Sequence, residues 1–139
     1  MDFRPIEKED FDRGYVELLN VLSPSDGLDR KCLEEVVESL GPWHQIWVME
    51  SEGQIVATIT FLIERKMIRG GSYVLHIEDV IVHPTHQKQG IGRRLIQKAR
   101  DVADEYSCYK IILDCSEANV PFYEFCQFQR HQIQMALYR

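Results

Sequence analysis

A strand-like run over residues 75–82 leads through His83-Pro84 into Gln87-Lys88-Gln89-Gly90-Ile91-Gly92, and that segment opens a helix. Apolar residues Ile91, Leu95, Ile96, Ala99, Val102, Ala103 and Tyr106 recur at helical spacing, so one face of this helix must lie on a core. A strand that delivers a glycine-containing turn to a helix start makes an anion site. The first backbone N–H groups of the helix lack intrahelical partners, and the macrodipole adds partial positive charge. Gly90 and Gly92 have no Cβ to hold a phosphate away, and Lys88, Arg93 and Arg94 ring the mouth. A plain turn capping a helix would carry similar residues, so this segment alone does not separate the two. Neither G-x-x-x-x-G-K-[ST] nor G-x-G-x-x-G is present.

The rest of the chain surrounds this unit with a mixed α/β pattern. Residues 2–6 read as a short strand, 8–22 as a helix, and 29–40 as a second helix stopped by Gly41-Pro42. Residues 45–51 and 54–64 read as strands joined at Glu52-Gly53, with Ile55, Ala57, Ile59, Phe61 and Ile63 on one face. A basic hairpin at residues 65–71 precedes a strand at 72–82. After the helix at 90–106 come a short buried strand at 110–115, a short helix at 120–126 and a last alternating strand at 129–137. On strand periodicity, Glu78 and Asp79 point to opposite faces.

With 139 residues, a single domain spanning 1–139 is expected. A net charge of −6 argues against nonspecific nucleic-acid binding while leaving room for a local basic pocket. No apolar run approaches a membrane span, and the first residues do not have a signal-peptide shape. Cys32, Cys108, Cys115 and Cys126 form no C-x-x-C pair, and the five histidines show no H-E-x-x-H spacing. Reduced thiols, no metal and a cytoplasmic setting are expected.

The Gln87–Gly92 segment resembles the [QR]-x-x-G-x-[GA] pyrophosphate loop of the GNAT superfamily of acetyl-CoA-dependent N-acetyltransferases. His76-Ile77-Glu78-Asp79-Val80-Ile81-Val82, the run from Cys108-Tyr109-Lys110-Ile111-Ile112-Leu113-Asp114-Cys115 to Asn119-Val120-Pro121-Phe122-Tyr123-Glu124, and the Glu64–Gly70 hairpin are similar to one family within it. That family is the glucosamine 6-phosphate N-acetyltransferases. The likeness is close over about residues 54–126 and thin over the first forty. It implies the GNAT fold, a mixed, mostly antiparallel central sheet flanked by helices. It also implies acetyl transfer from acetyl-CoA to the 2-amino group of D-glucosamine 6-phosphate, within UDP-N-acetylglucosamine biosynthesis, by a homodimer with shared active sites.

Residue by residue, the resemblance puts acetyl-CoA against Val80, Ile81, Val82, Lys88, Gln89, Gly90, Ile91, Gly92, Arg93, Asn119, Tyr123, Glu124 and Phe125. It puts the amino-sugar phosphate against Ser23, Lys66, Met67, Ile68, Arg69, Glu78, Asp79, Tyr109, Lys110 and Asp114. Tyr123, Asp114 and Glu78 are the implied catalytic residues. Tyr123 would donate to the leaving sulfur, Asp114 would orient the amine, and Glu78 would remove its proton through water. Asp79 reads equally well as a structural carboxylate at a strand end. A phenol near ~10 is a weaker acid than a thiol near ~8.5, so full proton donation by Tyr123 is uphill by roughly 2 kcal/mol and hydrogen bonding is the expected role. One departure stands out: the family's Cys-Gly-Phe after the short helix is Cys126-Gln127-Phe128 here, which predicts a strained left-handed glutamine. Arg139 falls where the family often has a basic substrate contact. Two other functions fit the same loop: a GNAT enzyme for peptide or protein lysine, and an acetyl-CoA-binding regulatory module without turnover.

Overall fold

A computed structural model describes residues 2–139. Five strands lie in the order β1 (Phe3–Pro5), β2 (His44–Ser51), β3 (Gln54–Arg65), β4 (Tyr73–Val82) and β5 (Cys108–Ile112). The first four pair antiparallel, and β4 and β5 pair parallel. The parallel step needs a crossover, which α3 (Ile91–Glu105) supplies. The expected mixed, mostly antiparallel sheet is therefore present.

The apolar stripe of α3 covers one face of the sheet. Ile91, Leu95, Ile96, Ala99, Val102 and Ala103 are buried against Ala57, Ile59, Phe61, Ile63, Leu75 and Ile77. Full burial of a side chain such as Leu95 contributes about 1.5–3 kcal/mol. On the other face, α1 (Tyr15–Leu19) and α2 (Arg30–Ser39) bury Tyr15, Leu18 and Leu33 against Ile46, Val48, Ile55 and Ile81. α4 (Val120–Phe125) follows β5.

Four expectations need correction. The helix expected over 8–22 is broken: a 3-10 turn at Lys8–Arg13 stops at Gly14 (φ 80°), and α1 begins after it. Asp10 fixes this break. Its buried carboxylate accepts from Arg4 Nη2 (2.7 Å) and Nη1 (2.9 Å), Arg13 Nη1 (3.0 Å) and the Glu7 amide (2.8 Å). β5 begins at Cys108 and is half-exposed rather than buried, because it is the sheet's edge in this chain.

The strand expected over 129–137 is not formed. Its alternating apolar residues have no pairing partner within the chain, and Ile133, Met135 and Leu137 are 91, 91 and 83 % exposed. Finally, Glu78 and Asp79 do not simply alternate. The β3–β4 register slips between Thr58↔Ile81 and Thr60↔Glu78, and Asp79 takes φ 50°. An extra residue sits in β4 there, a β-bulge. Ile77, Val80 and Val82 all pack toward α3, while Ile81 faces α1.

Candidate active site

β4 and β5 run side by side only at their start. Their pairs are Tyr73↔Cys108, Val74↔Lys110, Leu75↔Ile111 and His76↔Ile112, and none follows. β3 stays paired to β4 as far as Ala57↔Val82. From Ile77 onward β4 therefore presents one backbone edge to an opening V, where an extended ligand can pair as an added strand. The bulge at Asp79 lies in this stretch and twists the strand further.

The mouth of the V leads to the N-terminus of α3. Lys88 (φ 64°) and Gly90 (φ 80°) both adopt left-handed conformations, and no side chain caps the helix. The first helical bond is Arg94 N to Gly90 O at 3.2 Å, so the amides of Ile91, Gly92 and Arg93 precede the ladder. Gln87 Nε2 donates to Val82 O (3.1 Å) and pins the loop to the end of β4. Gly92 sits at a close approach: a Cβ there would lie 3.1 Å from the Phe122 ring, so α3 and α4 come near each other at that point.

α4 brings Tyr123 to the same region. Its ring meets Phe122 (5.1 Å between centroids) and Phe128 (5.9 Å) edge-on. Burial, with Cys115 and Cys126 nearby, pushes its phenol up to about 12. The helix ends in a two-bond cap, Gln127 N to Glu124 O and Phe128 N to Tyr123 O, both 2.9 Å, with Gln127 at φ 74°. The strained glutamine expected from the sequence is present. Phe125 is exposed beneath the Arg93 guanidinium at 5.0 Å, while Asn119 and Glu124 are exposed at the two ends of the helix.

The carboxylates gather on the sheet face away from α3. Alternation puts Val74, His76 and Glu78 of β4 on that face, with Lys110 and Ile112 opposite Val74 and His76. Burial raises the Glu78 carboxyl above its ordinary value, and the charges of Asp79 and Asp114 raise it further against a smaller opposing pull from His76. Glu78, Asp79 and Asp114 thus form one electrostatic cluster. Asp79 also acts on the Tyr15 phenol, whose burial between α1 and the sheet pushes it up to about 12.

The cations sit toward the β3–β4 hairpin. The Arg69 guanidinium lies 5.2 Å, and the Lys110 ammonium 5.6 Å, from the Tyr109 ring. Lys66 Nζ donates to Glu64 (3.3 Å), whose other oxygen meets His76 Nε2 at 3.0 Å. Met67 and Ile68 form an exposed apolar tip. Ser23 is exposed after α1, and among the described residues it makes no hydrogen bond to either cluster. The Glu64–His76 pair was not singled out from sequence. It appears only once the register puts Leu62 opposite His76 and Glu64 one step beyond it.

The sequence profile of the acetyltransferase (GNAT) family matches residues 8–128. Glucosamine 6-phosphate N-acetyltransferase 1 of Dictyostelium discoideum is 34 % identical over 99 % of this chain and 90 % of its own. Glucosamine 6-phosphate N-acetyltransferase 1 of Oryza sativa subsp. japonica is 36 % identical over 97 % of this chain and 85 % of its own. The crystal structure of glucosamine-6-phosphate N-acetyltransferase from Arabidopsis thaliana superposes with a TM-score of 0.94 at 34 % identity, covering 99 % of this chain and 97 % of that one. The splayed strands, the uncapped α3 N-terminus and these full-length likenesses agree, and the chain belongs to the GNAT acetyltransferase family.

Proposed function

We propose that this chain, as one N-acetyltransferase domain, moves acetyl from acetyl-CoA to the 2-amino group of D-glucosamine 6-phosphate, giving N-acetyl-D-glucosamine 6-phosphate and CoA. One observation carries the substrate choice. The acid cluster and the Arg69/Lys110 cations lie toward opposite ends of one strip of sheet, suited to a substrate with an ammonium at one end and a phosphate at the other. Lys110 and Asp114 are four residues apart, at most about 13 Å of chain, and the lysine's length narrows that gap toward the span of a sugar phosphate. Similarity along nearly the whole chain to proteins named for this activity supports the same reading.

The pantetheine arm pairs with the free edge of Ile77–Val82, and the pyrophosphate takes the α3 amides with Lys88 and Arg93 beside them. The Val80 amide polarises the thioester carbonyl and stabilises the oxyanion. Asp114 orients the ammonium, and Glu78, whose carboxyl is raised by burial and by the charges of Asp79 and Asp114, takes the proton through water. The amine then attacks the thioester directly, within a ternary complex. With the Tyr123 phenol near 12, protonating a thiolate of pKa ~8.5 is uphill by roughly 5 kcal/mol. Tyr123 therefore donates a hydrogen bond to the leaving sulfur and keeps its proton. An acetyl-cysteine intermediate is disfavoured at Cys126, whose thiol is buried and pushed up.

The reading includes a homodimer in the cytoplasm. Its support is the C-terminal segment, with apolar residues alternating and exposed, together with the open outer edge of β5 beside Lys110. A second copy's segment fits that edge and would line the substrate face. Removing residues 129–139 should convert the dimer to monomer in sedimentation analysis; a truncated chain that stays dimeric refutes this arrangement. Free cysteines at all four positions suit a reducing compartment.

The activity is tested by CoA release with glucosamine 6-phosphate, glucosamine and a lysine-bearing peptide. Turnover on the phosphosugar alone supports the proposal, and preference for the peptide rejects the sugar. Acetyl-CoA binding without turnover on any of the three favours a regulatory module.

A further inference from the structure

Acetylating an ammonium releases one net proton for each amide formed, since the CoA thiolate recovers only one of the two that the nitrogen loses. That proton must leave a face where Glu78, Asp79 and Asp114 are already crowded. A carboxyl in that cluster has to be emptied before the next turnover.

The group positioned to empty it is His76. It lies two residues before Glu78 on β4, ahead of the bulge, so both side chains share the substrate face about 7 Å apart. One ring nitrogen, Nε2, meets Glu64 Oε1 at 3.0 Å. Among the described residues the other nitrogen has no protein hydrogen-bond partner, and the side chain is 29 % exposed. The groups facing the ring are Glu64 and Leu62 of β3, Lys66 of the hairpin, Glu78 on its own strand, and Ile112 on β5, with Lys110 and Asp114 beyond it. Glu64 is shared between His76 and Lys66, which fixes the carboxylate from both sides.

We infer that Glu64 and His76 form a dyad that relays the substrate's proton from Glu78 to solvent. This rests on the acetyltransferase reading above and adds a role for two residues. The balance is simple. The ammonium gives a proton to the Glu78 carboxylate through water. Glu78, now a carboxyl, passes it through water to the free ring nitrogen and returns to carboxylate. The imidazolium is held by the Glu64 carboxylate, which stays ionised, and loses its proton to bulk water. No bond other than those to hydrogen changes in the relay. Imidazole suits the task because its charge change falls in the neutral range. Glu64 acts only through the ring and is a positioning residue.

The test is steady-state kinetics of the full chain and two variants, His76→Gln and Glu64→Gln, across neutral and mildly alkaline pH. Wild-type turnover of glucosamine 6-phosphate checks the substrate reading separately, and the variants are run on whichever amine the wild type acetylates. His76→Gln is expected to lower kcat about tenfold near neutrality, to leave the KM for acetyl-CoA within about twofold, and to recover rate on addition of free imidazole. Glu64→Gln is expected to move the rising limb of kcat against pH, because the ring that takes the proton loses its carboxylate partner. A purely structural pair would scale the whole profile without moving it. An unshifted profile in Glu64→Gln, or a His76→Gln enzyme that imidazole does not rescue, overturns the relay. Absence of turnover by the wild type on every amine overturns both readings together.

Discussion

Gln127→Gly should stabilise the protein, and the size of the effect follows from the cap of α4. Gln127 stands at φ 74°, between Cys126 and the amide of Phe128, which reaches back 2.9 Å to the Tyr123 carbonyl. A side chain with a Cβ pays roughly 1–2 kcal/mol for this left-handed conformation. Glycine removes that strain but gives back about 0.4–1 kcal/mol through the greater freedom of its unfolded chain. The difference leaves a net gain of about 0.5–1 kcal/mol, since both bonds of the cap are main-chain and survive the substitution. For a chain of this length that is a rise of about 2–4 °C in melting temperature. Thermal unfolding by circular dichroism reads the shift, and a urea titration with an unchanged m-value confirms that it is stability rather than a change in the unfolded state. Gln127→Ala serves as the control, because it keeps a Cβ in the same conformation and should not reproduce the gain. A lower melting temperature in the glycine variant would refute the reasoning, since it would mean that the glutamine side chain supplies more than its backbone costs.

Three further outcomes follow from the site and the core. Tyr123→Phe should lower kcat about tenfold or more with little change in acetyl-CoA affinity, as for a hydrogen bond made mainly in the transition state; an unchanged kcat removes the phenol from the mechanism. Arg69→Ala should raise the KM for glucosamine 6-phosphate and leave slow turnover of unphosphorylated glucosamine unaltered, and equal losses on both sugars would argue against a phosphate contact. Burial would raise the Asp10 carboxyl, but Arg4, the Glu7 amide and Arg13 together hold it below the usual range. A folded value below the unfolded one means that its stabilisation is present above the unfolded pKa and is lost as pH falls through the folded pKa. Asp10→Asn should therefore cost about 2 kcal/mol near neutral pH and flatten the acid limb of the stability profile; an equally acid-sensitive variant would assign that limb to other carboxylates.

Much of this architecture is legible in the sequence because it rests on local chemistry. The period of α3, the glycines at its start and the glutamine in place of a helix-ending glycine each declare a backbone conformation through the residue that must adopt it. What escaped depends on partners distant in the chain. Residues 8–22 carry a helical apolar pattern, yet Asp10 closes a turn through Arg4 and Arg13 and Gly14 reverses the backbone, so tertiary bonds override the period. The bulge at Asp79 adds one residue among polar side chains, where no apolar repeat exists to register the slip. Glu64 and His76 are twelve residues apart and meet only because the hairpin sets the register. The last segment has a strand's pattern without a strand's partner, because its own chain offers none.

The extra residue in β4 divides that strand into two reading frames. Before Asp79 the odd-numbered residues Leu75 and Ile77 face α3; after it the even-numbered Val80 and Val82 do. Deleting Asp79 would bring the two frames into phase. The residues that follow it would keep both pair and face: Val80 would stand opposite Ile59, with Ile81 still on Thr58 and Val82 still on Ala57. The two cores would keep their contents, and what would be lost is the local bend and extra twist that the inserted residue gives the strand. That single supernumerary position therefore shapes the strand's course rather than its cores, at the point where its edge is free for a ligand.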